Sequence, residues 1–219
     1  MGLAGPRSGV PMVRSDLEQL CGGAESEVMT NDDLMPRDPA VISGVAGTAH
    51  SGPVSSSKVP RIPTHAETQA NPETLQVFNA AVIEEFESNE GRVGGPFGDS
   101  NVLLLTMTGA KSGQLRRTPL EYFAVGDRML IVGTRGGAPQ NPAWVHNLRA
   151  NSAALVEVGT ASYGVHAREI TDGERDELWA KIVELCPRID NYPKPERVIP
   201  VFELRKPSAD RLRRDGEPK

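Results

Sequence analysis

A mainly β (α+β) fold is expected: a small antiparallel barrel of about six short strands with helices packed outside. Three observations predict it. Short apolar runs recur along the chain, separated by Gly-, Asp- and Pro-containing turns. No strand–helix–strand alternation is present, which argues against a doubly wound parallel sheet. Every Phe, Tyr and Trp of the 219 residues lies between Phe78 and Phe202, so core-forming mass is concentrated in one continuous stretch.

Taken in order, the ordered part opens at Asn71-Pro72-Glu73, an N-cap followed by Pro at the first helical position and an acid in the first turn. Leu75, Phe78, Val82 and Phe86 then recur at helical spacing until Asn89-Glu90-Gly91 stops the helix. Residues 102–107 read as a buried strand. Residues 120–125 and 129–133 read as two more, joined across Gly126-Asp127, a hairpin signal. Asn141-Pro142 repeats the cap-plus-Pro start for a short helix through Trp144 and Leu148. Residues 154–158 and 163–170 form another strand pair around Gly159. Thr171 and Glu174 match a capping box for a helix carrying Leu178, Ile182, Val183 and Leu185, which Pro187 ends. A last strand over residues 198–204 contains Pro200, which places it at a sheet edge or a bulge.

This divides the chain into an extension over residues 1–70, a folded domain over 71–205 and a basic tail over 206–219. The extension has no aromatic residue and is rich in Gly, Ser, Pro and acids. It buries too little apolar surface to offset its chain entropy, so it is expected to be disordered, or an overlong start. It lacks the basic and apolar regions of a signal peptide. No apolar run approaches the roughly 20 residues that span a bilayer. The formal charge of −5 argues against a nucleic-acid partner. In the tail, Arg211, Arg213 and Arg214 read as a solvated end, with weak association to an anionic membrane surface as the alternative. Cys21 and Cys186 are far apart and suggest neither a disulfide framework nor a metal site, which fits a reducing cytoplasm.

The residues with chemical potential are few. Gly109-Ala110-Lys111-Ser112-Gly113 is followed by Arg116 and Arg117. Its glycines can turn backbone N–H groups inward, and the cations add positive charge, as a phosphate requires. The alternative is a plain hairpin turn with solvated basic side chains. It is not a P-loop, because its glycine spacing differs from that pattern and a strand follows it. Thr134-Arg135-Gly136-Gly137 is a second glycine-rich turn: a backbone cradle for a flat ring or a phosphate, or a mobile loop. In the segment around Trp144, His146 is a proton donor or a structural histidine, and Trp144 reads as core before ligand platform. Asn147, three positions beyond Trp144 on roughly the same face, can reach a bound ring through its amide. No Ser-His-Asp set, carboxylate pair or metal-ligand spacing is present, so hydrolytic and metal chemistry are not motivated.

Together these motifs resemble the deazaflavin (coenzyme F420)-dependent nitroreductase family. The resemblance rests on Leu103-Leu104-Leu105-Thr106, Gly109-Ala110-Lys111-Ser112-Gly113, Arg116, Pro119-Leu120 and Thr134-Arg135-Gly136-Gly137. It continues through Asn141-Pro142-Ala143-Trp144, Asn147-Leu148 and Arg197-Val198-Ile199-Pro200-Val201. It implies a split β-barrel, and a cytoplasmic enzyme that moves hydride from reduced coenzyme F420 to a quinone-like, enone or nitro acceptor. It assigns Lys111, Ser112, Gly113 and Arg116, with the neighbouring Arg117, to the cofactor phosphate. Pro119 would lie along the cofactor, Thr134, Gly136 and Gly137 near the deazaflavin ring, and Trp144 and Asn147 at the pocket wall. Nitroimidazole-reducing members carry Tyr-Pro-x-Tyr-x-x-Tyr, where this chain has Cys186-Pro187-Arg188-Ile189-Asp190-Asn191-Tyr192. Two hydroxyls are therefore absent, and Tyr192 remains as a substrate contact or proton donor, or as a packing residue at the barrel mouth. The alternatives are a related barrel using FMN and a cofactor-carrying module without turnover. Oligomeric state is open.

Overall fold

The computed structural model describes residues 57–98, 100–192 and 196–207. Helix α1, His65–Ala70, precedes α2, Glu73–Ser88. Strands β1, Val102–Thr108, β2, Leu115–Val125, and β3, Arg128–Val132, follow. Helix α3, Ala143–Ala150, leads to β4, Ala153–Val158, and β5, Ala161–Glu169. Helix α4, Arg175–Leu185, and β6, Val201–Arg205, complete the order. The strands close a six-membered antiparallel barrel in the order β1-β2-β3-β6-β5-β4. Closure leaves each strand a partner on both sides for at least part of its length, which removes most exposed edges.

The alternation of side chains along the strands sorts three apolar clusters. Leu103, Leu105 and Met107 of β1 meet Tyr122, Ile131, Val156, Val165 and Phe202 inside the barrel, and Trp144, Val145 and Leu148 of α3 join them. Trp144 packs edge-on against Phe202, ring centroids 5.7 Å apart. On the outside, Val102 and Leu104 pack under Phe78, Val82 and Phe86 of α2. Phe123, Leu130 and Val201 pack under Leu178 and Ile182 of α4.

The expected barrel and its flanking helices are present, with four local differences. Strand β2 begins at Leu115, so Arg116 and Arg117 belong to the strand and not to the turn before it. The last strand begins after Pro200 and pairs on both sides, with β3 and β5, so Pro200 marks neither an edge nor a bulge within it. Its carbonyl instead accepts from Gly133 N at 2.9 Å. The capping box at Thr171 does not form: α4 starts at Arg175, with Glu174 at its N-cap. A capping box forms instead at Thr64 and Glu67, opening α1 before the domain boundary expected at residue 71. Residues 1–56, including Cys21, and the tail arginines Arg211, Arg213 and Arg214 lie outside the described residues.

The Glu174 side chain caps no backbone N–H and pairs with arginines instead. Its carboxylate takes Arg128 Nη1 at 2.9 Å and pairs with Arg168, while Arg128 also holds Glu203 through Nε at 3.0 Å. Glu203 is buried, with 6% of its surface exposed, and also meets Arg205 at 2.7 Å. Burial alone pushes its carboxyl up, but hydrogen bonds from Arg205 and Arg128 outweigh that and hold it below the ordinary carboxylate range. A carboxyl depressed on folding adds stability above its unfolded value, and that stability is lost as pH falls through the folded one. Glu203→Gln is therefore expected to lower stability at neutral pH and to flatten its decline in acid, measured by urea unfolding across a pH series. An unchanged pH profile would remove Glu203 from the acid response.

Candidate functional site

The ladder between β2 and β3 runs only from Tyr122↔Ile131 to Val125↔Arg128. Strand β2 extends back to Leu115, but β3 ends at Val132 and the chain turns away. The N-terminal half of β2 therefore pairs with β1 alone, and a gap opens beside it. Tyr122 donates its N–H toward Asn101 on the β1 side, so by alternation the odd-numbered residues of β2 direct their backbone groups at the gap. Pro119 sits among them with no N–H to leave unpaired, the situation in which a strand tolerates proline.

One end of the gap is closed by the turn over residues 109–114. Gly109 N donates to Gln114 O and Gly113 N to Gly109 O, both at 2.8 Å. Asn147 on α3 anchors this turn through its Oδ1, which accepts from Ala110 N at 3.0 Å. Lys111, Ser112 and Gly113 are exposed at its tip. Gly113 has φ +66°, and a Cβ there would meet nothing within 4 Å, so the backbone is open to a ligand. Arg116 lies opposite Met107, on the row that continues the barrel interior, and its guanidinium meets only the Gln114 amide at 3.4 Å. Among the described residues neither Lys111 nor Arg116 pairs with a carboxylate.

Arg117 departs from its expected role. It lies opposite Thr106, on the row that faces α2, because successive strand residues point to opposite faces. There its guanidinium binds both oxygens of Glu157, at 2.9 and 2.7 Å, and Glu87 of α2 at 2.6 Å. With two carboxylates already bound, its charge is compensated within the chain. Trp144 belongs to the barrel core, its first reading from the sequence, with 7% of its surface exposed. His146 is exposed on the same helix. Pro119 stands opposite Leu104 at the lip of the gap.

The other lip is the turn after β3. Thr134 is helical (φ −65°, ψ −42°), and Arg135, Gly136 and Gly137 all have positive φ, at 47°, 60° and 78°. A right-handed residue followed by left-handed ones turns successive N–H groups toward one side, a concave anion site. Gly137 N is used on Thr134 O, but Arg135 N and Gly136 N have no acceptor among the described residues. Gly136, like Gly113, has open space where a Cβ would stand. Arg135 holds a left-handed conformation that a non-glycine residue adopts only at a cost.

The turn is held by Arg197, which the sequence places in the motif over residues 197–201 without marking its role. Its guanidinium donates to the carbonyls of Gly133 at 2.9 Å, Thr134 at 3.1 Å and Ala138 at 3.0 Å, and to Asn141 Oδ1 at 2.7 Å. A planar fork that serves several backbone carbonyls at once fixes the turn's path. Burial and the nearby Arg135 charge both lower its pKa. No spacing rule announces an arginine aimed at carbonyls; its place before Val198-Ile199-Pro200 was the only signal.

Tyr192 lies elsewhere, against the cluster under α4 with Phe123 and Cys186. Burial raises its phenol, and Arg188 and Glu121 lie close enough to act on its charge. Glu121, two residues beyond Pro119 on the same face of β2, takes Arg188, whose neighbour Ile189 packs in the same cluster as Tyr192. Among the described residues there is no cluster of His, Cys, Asp and Glu able to hold a metal ion. No described helix is long and apolar enough to cross a membrane.

The model of the F420H(2)-dependent quinone reductase family matches residues 80–206, the whole barrel and both lips of the gap. The chain belongs to this family. An F420H(2)-dependent quinone reductase of Mycobacterium tuberculosis (strain H37Rv) is 39% identical over 124 residues, covering 54% of this chain and 83% of that protein. A second M. tuberculosis protein of the family is 32% identical over 104 residues, 47% of this chain and 87% of its own length. The solved structure of an F420-H2 dependent reductase (FDR-A) is 36% identical, with a TM-score of 0.43, over 48% of this chain and 93% of that one.

Membership makes coenzyme F420 the cofactor to consider, and the gap offers groups that suit an anionic ligand. Among the described residues, Lys111 and Arg116 are cations without a carboxylate partner at one end of the gap, and Arg135 N and Gly136 N lack an acceptor at the other. The integrity of the far lip rests on Arg197. Arg197→Lys is expected to cost about 1–3 kcal/mol, the loss of several donors from one planar group. Hydrogen exchange at Gly137 and Ala138 should quicken in the variant. Equal exchange in variant and parent would show that the turn holds its path unaided.

Proposed function

We propose that this protein reduces a quinone-like, enone or nitro acceptor with hydride from reduced coenzyme F420, bound along the gap between β2 and the turn Arg135–Gly137. The observation that carries the reading is the pair of uncompensated cations, Lys111 and Arg116, at one end of a gap whose opposite lip presents free N–H groups. Charge-assisted hydrogen bonds from such groups suit the anionic part of the cofactor, with Ser112 and Gly113 beside it. Pro119, Thr134, Gly136 and Gly137 would border the flat ring. When bound, the reduced cofactor supplies the hydride from a ring carbon.

The chain's own contribution is orientation and one proton. Asn147 acts through the turn it anchors at Ala110, and Arg197 through the turn it holds at Gly133 and Thr134. Tyr192 keeps its proton at neutral pH because burial disfavours the phenolate. It can pass that proton to an acceptor oxygen and regain one from water. Without the two further tyrosine hydroxyls of nitroimidazole-reducing relatives, a quinone-like acceptor is favoured here. The family is defined by the deazaflavin and not by FMN.

Fluorescence quenching of coenzyme F420 on titration with purified protein tests the reading directly. Lys111→Ala and Arg116→Ala are each expected to weaken binding by about 1.5–3 kcal/mol, the scale of hydrogen bonds to charged groups, with the fold intact. Unchanged affinity in both would place the phosphate elsewhere. Tyr192→Phe should lower turnover with a soluble naphthoquinone more than it lowers binding. Equal turnover would reduce Tyr192 to a packing residue.

A further inference from the structure

Arg197 fixes the far lip of the gap at its two stems. It donates to the carbonyls of Gly133 and Thr134 on one side and of Ala138 on the other. Between them Arg135, Gly136 and Gly137 all have positive φ. Among the described residues their N–H groups make one hydrogen bond, from Gly137 N to Thr134 O within the turn. Two glycines and a left-handed arginine do not hold a single path by intrinsic preference. The tip needs support from outside the turn.

Helix α1 packs against this tip and also against α2. Its six residues are too few to be stable as a free helix in water, so its order comes from how it is held. The segment leading to it is anchored on α2: Ser57 Oγ and Lys58 N donate to Glu85 at 3.0 and 3.1 Å, and Val59 is buried in the cluster beneath that helix. Gly94 N donates to the same carboxylate at 2.8 Å, which ties the segment to the start of the barrel. The start of α1 is closed by the capping box of Thr64 and Glu67, with Arg61 Nη1 on Glu67 at 2.9 Å. Its end is closed at Asn71, whose N–H donates to Glu67 O at 2.9 Å and whose Oδ1 accepts from Glu73 N of α2 at 3.0 Å. A short helix pinned at both ends is a firm support for the tip beside it.

We propose that α1 braces the far lip: it holds Arg135–Gly137 in the path that leaves Arg135 N and Gly136 N free at the gap, and the affinity for coenzyme F420 depends on it. A lip already ordered before the ligand arrives spares the entropy of ordering it on binding. The inference rests on the cofactor placement proposed above. It gives a positioning role to a segment that precedes residues 80–206, the part that the family model matches.

The test uses the full chain and oxidised coenzyme F420. Thr68→Pro removes the N–H that donates to Thr64 O at 3.1 Å, and breaks α1 without altering the turn's own sequence. It is expected to raise the dissociation constant about tenfold, the scale of the backbone entropy of one residue. Hydrogen exchange at Gly137 and Ala138 should quicken in this variant, while the amides of β1 and β4 exchange as in the parent. Thr68→Ala, which keeps the N–H, should match the parent in both readouts. Thr64→Ala removes only the cap and should move both the same way by less, with Thr64→Ser restoring them. Unchanged exchange at the tip in Thr68→Pro, or a loosened tip with unchanged affinity, would overturn the inference and leave the cofactor reading standing. So would exchange that quickens equally throughout the barrel. Failure of the parent to bind coenzyme F420 at all would overturn both.

Discussion

The rest of the molecule depends on where one hydrogen-bonded ladder stops. Strands β2 and β3 part at Tyr122 and Ile131, although β2 continues for several residues beyond that point. Everything that resembles a binding site follows from this early parting. Had the ladder run on, Pro119 and Leu120 would face strand backbone, and the turn at Thr134 would have no gap to border. The parting is enforced from the β3 side. Arg197 holds four acceptors of the departing chain, and Gly133 N is taken by Pro200 O. Barrel closure elsewhere supplies the rigidity that a site assembled from turns needs.

Much of this was legible in the sequence, and the failures have physical causes. Strand identity followed from apolar runs and turn residues, because those report burial and backbone freedom directly. The site turns were legible for the same reason, since glycine at positive φ is visible as glycine. The roles of Arg116 and Arg117 were not separable while both were placed in a turn. Once β2 is extended to Leu115, their opposite facing follows from period two, and Glu87 and Glu157 claim Arg117. Trp144 was ambiguous because a tryptophan beside a cleft and one inside a barrel share the same spacing. The capping box at Thr171 was not realised because α4 starts at Arg175, and the Glu174 carboxylate pairs with Arg128, distant in sequence, and with the nearby Arg168.

The extension is the instructive miss. Residues 57–70 carry no aromatic residue, and composition alone excluded them from the domain. Their order comes from a different source: polar anchoring at Glu85, a capping box, and one buried valine. None of these makes a hydrophobic pattern long enough to read. Composition measures whether a segment can build a core of its own, and says little about whether it can be held by one already built.

The proline at the lip of the gap has one more consequence. A half-paired strand is a template on which another strand can add, and the exposed stretch of β2 would invite a second chain to complete its ladder. Pro119 removes a donor from the middle of that template, and the neighbouring Arg117 is held by two carboxylates on its outer face. A visiting strand would find its register interrupted and charged groups in its path. The proline at the lip of the gap therefore makes this strand edge a poor template for a second chain.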